Sequence, residues 1–286
     1  MTPSPNVRRR SGSVAGLRTL LLHGLGGSAN VWDQCVPHAS DGLELWDVDL
    51  PWGTFGNSTW AIDGDACPIV AATVESLPPR EQNRPVVDLI VAHSFSASVV
   101  LELYGRCAPG SVRGLVLVSP SVSPVPFDWS EVSKRVEQFP QVLEDSIAKS
   151  GRRLQPERQQ ALALKLRDLI GPLAWLRSLE YVLRNAALDL SKLTVPVLVI
   201  AGDADQAVPI ADPQRLAARL PTATFTALTG CGHFPMVEQP DRFMAVIEEF
   251  ARSLTAVSSP STSLCAVGVN HQPMGRAVRQ KEQVIE

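Results

Sequence analysis

Apolar residues along this chain gather in short β-branched runs, separated by stretches in which polar and apolar positions recur with a helical period. The runs at 17–22, 43–48, 86–92, 112–118, 195–201 and 222–228 read as strands. Most are nearly continuous in apolar character, as expected of strands covered on both faces. The stretches at 29–38, 65–76, 95–105, 213–220 and 241–254 read as helices. Strand then helix, repeated, predicts an α/β fold with a mostly parallel central sheet and helices on both faces.

The rhythm breaks over 121–190. Pro120, Pro124 and Pro126 open this stretch, and amphipathic patterns follow around 130–148, 156–170 and 172–187 with no strand-like run between them. We expect an all-helical cap, inserted before the strand at 195–201 and lying over the carboxyl edge of the sheet. The alternative is extra helices packed behind the sheet. The core then comprises 17–120 and 191–254. Residues 1–16 read as a flexible, polar N-terminus whose Arg8-Arg9-Arg10 run is solvated. From 255 to 286 Ser, Pro, Gly and Gln dominate, and a disordered tail is expected. No internal repeat is evident.

At 286 residues, 45% apolar and 19% charged, the chain suits one large α/β domain with an insertion, or two small ones. A net charge of −3 supplies no basic field for a nucleic-acid partner. No apolar stretch is long enough to span a bilayer and no signal-peptide core follows the N-terminus, so a soluble, cytoplasmic protein without a membrane partner is expected. Cys35, Cys67, Cys107, Cys231 and Cys265 are scattered and form no CxxC, which predicts reduced, mostly buried thiols. No His, Asp or Glu pairs stand at metal-ligand spacing, and neither a P-loop lysine nor GxGxxG is present. No metal or cofactor is expected. The oligomeric state is not legible.

Chemistry concentrates at strand ends. Ser94, within Val91-Ala92-His93-Ser94-Phe95-Ser96, stands where a strand becomes a helix. A nucleophile there needs a strained turn with small residues two positions to either side, and Ala92 and Ser96 are small. Ser94 as a mere helix cap is the competing reading; Ser96 and Ser98 are weaker candidates. His233, in Gly230-Cys231-Gly232-His233-Phe234-Pro235, follows the last strand on a glycine-rich loop and suits a general base. His23, His38, His93 and His271 suit it less, His93 being expected to pack beside the elbow. The acid that orients an imidazole should follow the strand at 195–201. Asp205 is favoured there, with Asp203 more suited to tying down the turn and Asp49 a distant third. Backbone N–H groups of Leu25, in His23-Gly24-Leu25-Gly26-Gly27, and of Phe95 are placed to receive an oxyanion.

These segments resemble the α/β-hydrolase fold superfamily, in its branch with a helical cap, over about residues 17–254. His23-Gly24-Leu25-Gly26-Gly27-Ser28 with Trp32 is similar to that branch's oxyanion segment. Ala92-His93-Ser94-Phe95-Ser96 resembles its Gly-His-Ser-x-Gly elbow, and Gly232-His233-Phe234-Pro235 with Glu238-Gln239-Pro240 its histidine loop. The order nucleophile, acid, histidine is also the family's. The resemblance implies Ser94, Asp205 and His233 as triad, with Leu25 and Phe95 as donors. Two departures stand out. Both elbow glycines are replaced, and the usual Asp-x-Pro-Gly-x-Gly-x-Ser reads Asp49-Leu50-Pro51-Trp52-Gly53-Thr54-Phe55-Gly56-Asn57-Ser58, which is expected to bring Trp52 and Phe55 to the site mouth.

The expected function is that of a serine hydrolase cleaving a small-molecule carboxylic ester or thioester through an acyl-enzyme. Phe127, Trp129, Trp175 and Leu176 would supply an apolar acyl pocket. Arginine-rich, Ala-, Pro- and Val-rich composition fits a GC-rich bacterial genome, where a secondary-metabolic or carrier-bound acyl substrate is an option. A lyase, cyclase or C–C bond hydrolase using the same triad is the alternative, and an inactive binding protein a further one. Haloalkane dehalogenation is disfavoured because it needs a carboxylate at position 94.

Overall fold

In the computed structural model, residues 5–54, 56, 59–80, 84–107, 112–122, 129–149 and 155–256 are described. Six strands carry the apolar runs: β2 (Leu17–Leu22), β3 (Leu43–Val48), β4 (Leu89–His93), β5 (Gly114–Val118), β6 (Val197–Gly202) and β7 (Ala223–Leu228). They are mutually parallel. With β1 (Val7–Ser11) they form one sheet in the order β1-β3-β2-β4-β5-β6-β7.

Because successive side chains alternate faces, each central strand feeds two cores. Leu20, Ile90, Leu117 and Val199 face one core together with α1 (Thr59–Asp63), α2 (Cys67–Glu75) and α3 (Phe95–Cys107). Leu21, Val91, Val116 and Leu198 face the other.

Among its described residues, the stretch 121–190, expected to form an all-helical cap, contains the α-helices α4 (Trp129–Lys149) and α5 (Pro156–Ala186) and no strand. The helix α5 is broken at Gly171 (φ 76°, ψ 158°), before Pro172, which separates the two predicted periodicities at 156–170 and 172–187. Its second arm is tied to the core. The Tyr181 hydroxyl donates to Asp65 and accepts from Ala66 N, and Asn185 Nδ2 donates to Ser98 O. Beyond β6 come α6 (Ala211–Arg219), then α7 (Pro235–Glu238) and α8 (Pro240–Ala256), whose Phe243 and Ile247 lie in the second core. No described helix is long and apolar enough to cross a membrane.

Three expectations need correction. Residues 7–11 are not a flexible segment: they form β1, antiparallel to β3. The reason lies in Glu44 and Asp47, acids embedded in the buried strand β3. Arg8 and Arg10 bond Asp47, Arg9 and Arg18 pair with Glu44, and so the basic run is a set of counter-ions rather than a solvated end. Replacing Arg8 and Arg10 together by alanine leaves Asp47, which is fully buried, without a cationic partner. The expected loss is about 3 kcal/mol of unfolding free energy, measured by urea titration.

The stretch 29–38 is not one helix but two 3-10 turns, Ala29–Trp32 and Val36–His38, with i to i+3 bonds such as His38 N to Cys35 O. Pro37 has no N–H with which to continue a helical ladder. Residues 255 and 256 belong to α8 rather than to a tail; the rest of the expected tail lies outside the described residues.

Candidate active site

Ser94 adopts φ 52°, in the left-handed region that costs a non-glycine residue about 1 kcal/mol or more. The surroundings hold it there. Ser94 N donates to Val118 O at 2.8 Å, completing the sheet, while Ala97 N and Ser98 N turn back onto Ser94 O at 3.0 and 3.3 Å and start α3. The hydroxyl therefore projects from the carboxyl edge and stays half-buried. Gly24 passes close beneath: a Cβ on it would fall 3.0 Å from His93 Nδ1 and 3.1 Å from Ser94 Cβ.

The glycine-bearing loop after β7 brings His233 onto this hydroxyl, with Nε2 3.1 Å from Ser94 Oγ. On the other side of the ring, Nδ1 lies 2.8 Å from Asp205 Oδ2. Nδ1–H donates to the carboxylate, which leaves Nε2 free to accept the serine proton. Asp205 Oδ1 takes two further bonds, from Ala207 N at 2.8 Å and Val208 N at 3.0 Å. Burial pushes this carboxyl up. The charge and hydrogen bond of His233 and the two backbone donors outweigh it, and hold Asp205 below the usual carboxylate range. Asp203 instead accepts from Gly230 N at 2.7 Å, across the turn. Asp49 accepts from Ala29 N and stands apart from His233's bonds.

Sequence reasoning did not foresee what holds the histidine loop. The Glu238 carboxylate accepts from Gly232 N at 2.8 Å and Phe234 N at 3.0 Å, gripping the backbone on both sides of His233. Its four-residue spacing from Phe234 was the available signal. His93 packs beside the elbow as expected, and its Nε2–H donates to His233 O at 2.9 Å, joined by Ser119 Oγ at 3.3 Å. Burial first, then the neighbouring His233 charge, pushes His93 down to about 3, so it is a neutral donor at working pH. Glu238→Ala is expected to lower kcat about tenfold with little change in KM, because the ring loses its fixed approach to Ser94. Steady-state kinetics checks it.

Leu25 and Phe95 flank the hydroxyl on the loop after β2 and at the first residue of α3. Among the described residues neither N–H has a protein acceptor, whereas Gly26 N and Gly27 N are bonded to Trp52 O and Gly24 O. The loop is shaped by a buried His23. Leu50 N donates to its Nε2 at 2.9 Å, so Nδ1–H donates to Gly24 O at 2.8 Å. Burial lowers its pKa and keeps the ring neutral. A Cβ on Gly26 (φ 68°) would fall 2.5 Å from Ile170 Cδ1, so α5 rests directly on this loop.

A cavity of about 640 Å³ opens over Ser94, Leu25, Phe95 and His233. Apolar side chains of α4 and α5, among them Leu143, Ile147, Leu166 and Trp175, line one part, and Asn30, Asp33 and Gln34 line another. Among the described residues, no lysine or arginine lines it. Trp175 lines the cavity, packed edge-on to Phe139 at 5.9 Å. Trp52 does not. It is 2% exposed and sits behind the elbow against Trp60 and Phe95, at 5.8 and 5.3 Å, because its indole N–H finds acceptors there. Leu176 also turns away, 55% exposed. Phe55, Phe127 and the Trp129 side chain lie outside the described residues. Among the described residues no three His, Cys, Asp or Glu side chains group as metal ligands.

A family model, the alpha/beta hydrolase family, matches residues 19–246. The chain belongs to that family. This hydrolase is 27% identical to a pimeloyl-[acyl-carrier protein] methyl ester esterase of Aromatoleum aromaticum, over 82% of the chain and 97% of the relative. It is 26% identical to the enzyme of the same description from Aeromonas hydrophila, over 81% and 94%. Its fold is shared by a hydrolase from Oleispira antarctica (TM-score 0.65, 12% identity, 87% of this chain and 95% of that one). A thermophilic esterase from Thermogutta terrifontis also shares it (TM-score 0.59, 20% identity, 89% and 96%).

Proposed function

We propose that the protein is a serine hydrolase that cleaves an uncharged carboxylic ester or thioester through an acyl-enzyme. The observation that carries this reading is the continuous hydrogen-bonded chain from Ser94 Oγ through His233 to Asp205, at the floor of a largely apolar cavity. Ser94 Oγ attacks the carbonyl carbon as its proton passes to His233 Nε2. The tetrahedral oxyanion is received by Leu25 and Phe95 N–H, each such donor contributing about 3 kcal/mol. The imidazolium, stabilised by Asp205, returns the proton to the departing oxygen or sulfur, and water repeats the sequence on the acyl-enzyme. The acyl chain lies among the α4 and α5 side chains, which act as a cap. The relatives' carrier-protein ester substrates support a carrier-bound acyl group as one option for this chain.

A panel of p-nitrophenyl esters and matched N-acetylcysteamine thioesters tests this. Up to about 0.8 kcal/mol is expected per buried methylene, so kcat/KM should climb roughly three- to fourfold per carbon until the cavity is filled. An ω-carboxylate on the chain should lower it by about tenfold or more, because among the described residues no lining cation receives it. Absence of turnover across the panel by folded protein would count against the reading.

A further inference from the structure

Two residues that break the family-like pattern, Trp52 and Ser96, touch each other. Trp52 Nε1–H lies 3.1 Å from Ser96 Oγ and 3.2 Å from His23 O, and donates to both. Ser96 Oγ–H donates to the same His23 carbonyl. All three residues are buried. The Trp52 main chain adds a second hold, since its carbonyl accepts from Gly26 N at 2.8 Å. Thr54 extends the grip, its N–H donating to Gly27 O at 2.8 Å and its hydroxyl to Gly26 O. His23 and Gly26 bracket Leu25; Ser96 follows Phe95 directly. The bonds thus run between the two backbone segments that present the free N–H groups.

We infer that Trp52 and Ser96 are positioning residues that fix the spacing of the Leu25 and Phe95 donors, the indole and the hydroxyl clamping the His23 carbonyl onto the elbow. The inference rests on the hydrolase reading above. It gives the two departures a joint purpose: a serine at 96 supplies an oxygen that a glycine lacks, and the indole brings the donor that this oxygen accepts. Phe95 is locked from the other side by edge-on contact with Trp52 and Tyr181, with ring centroids at 5.3 and 5.4 Å. Its N–H therefore has little freedom to compensate.

Ser96→Ala, Trp52→Phe and the double variant separate positioning from mere packing. Sites are counted by titration with a fluorophosphonate, and rates are expressed per titrated site. Each single variant is expected to lower kcat on p-nitrophenyl butyrate about tenfold and to weaken n-butylboronic acid, which forms a tetrahedral adduct, by a similar factor. KM should stay within about twofold, as for an interaction made only in the transition state. The double variant should be no worse than the poorer single one, since both act on one carbonyl. A lowered melting temperature with wild-type kcat per titrated site and wild-type boronic-acid affinity would overturn the inference while leaving the hydrolase reading intact. Ser96→Ala removes one oxygen, so this arm survives if Trp52→Phe fails to fold. A wild-type protein that neither titrates nor turns over esters would overturn both.

Discussion

Ser94→Ala is expected to lower kcat for ester hydrolysis by about 10⁴-fold or more while leaving the fold in place. Alanine keeps the Cβ and the left-handed turn already adopted at φ 52°, and the backbone bonds of residue 94 to Val118, Ala97 and Ser98 do not involve the hydroxyl. The Oγ bonds His233 Nε2, so removing it deletes the nucleophile and little else. The melting temperature should stay within about 2 °C of wild type, because His233 Nε2, which loses its partner, lines the open cavity. Rate and melting curve together check this. A variant retaining more than about a hundredth of the wild-type rate would assign the chemistry elsewhere.

The second large effect separates two aspartates that lie two residues apart in sequence and differ in role. Asp205→Asn is expected to cost about 10⁴-fold in kcat. The amide presents N–H to the imidazole where a carboxylate accepted one, which forces the other tautomer and places a proton on Nε2, toward Ser94. Asp203→Asn should cost less than about tenfold, because an amide oxygen can still accept from Gly230 N. A larger loss at Asp203 would reverse the assignment.

Stability follows with a definite sign. The Asp205 carboxyl is held below its ordinary value in the fold. Its contribution is therefore fully present above pH of about 4, and disappears as pH falls through the depressed native value. The gap in melting temperature between wild type and Asp205→Asn should be widest near pH 7 and narrow below pH 4.

What was legible in the sequence shares one property: it is written locally. The buried strands announced themselves as apolar runs, β2 and β3 at the observed bounds. Ser94, Asp205 and His233 could be placed because each closely follows a strand end, and parallel topology gathers those ends on one edge. The hidden features depend on partners distant in sequence. Arg8 and Arg10 look like a solvated run until β3 brings Asp47 beside them. Trp52 looks like a mouth residue until Ser96 and the His23 carbonyl, 44 and 29 residues away, offer its indole acceptors. Leu176 fits an apolar pattern, yet the break at Gly171 sets the direction of its arm and leaves it facing solvent.

The central claim is that the hydroxyl at position 94 is activated for acyl transfer, and covalent labelling tests it most directly. Incubation of the wild-type protein with a fluorophosphonate, followed by intact-mass measurement and peptide mapping, should give one adduct per chain, carried on Ser94. The adduct should be absent in Ser94→Ala and form far more slowly in His233→Ala. No adduct on folded wild-type protein, or one that persists on another residue when Ser94 is replaced, would contradict it.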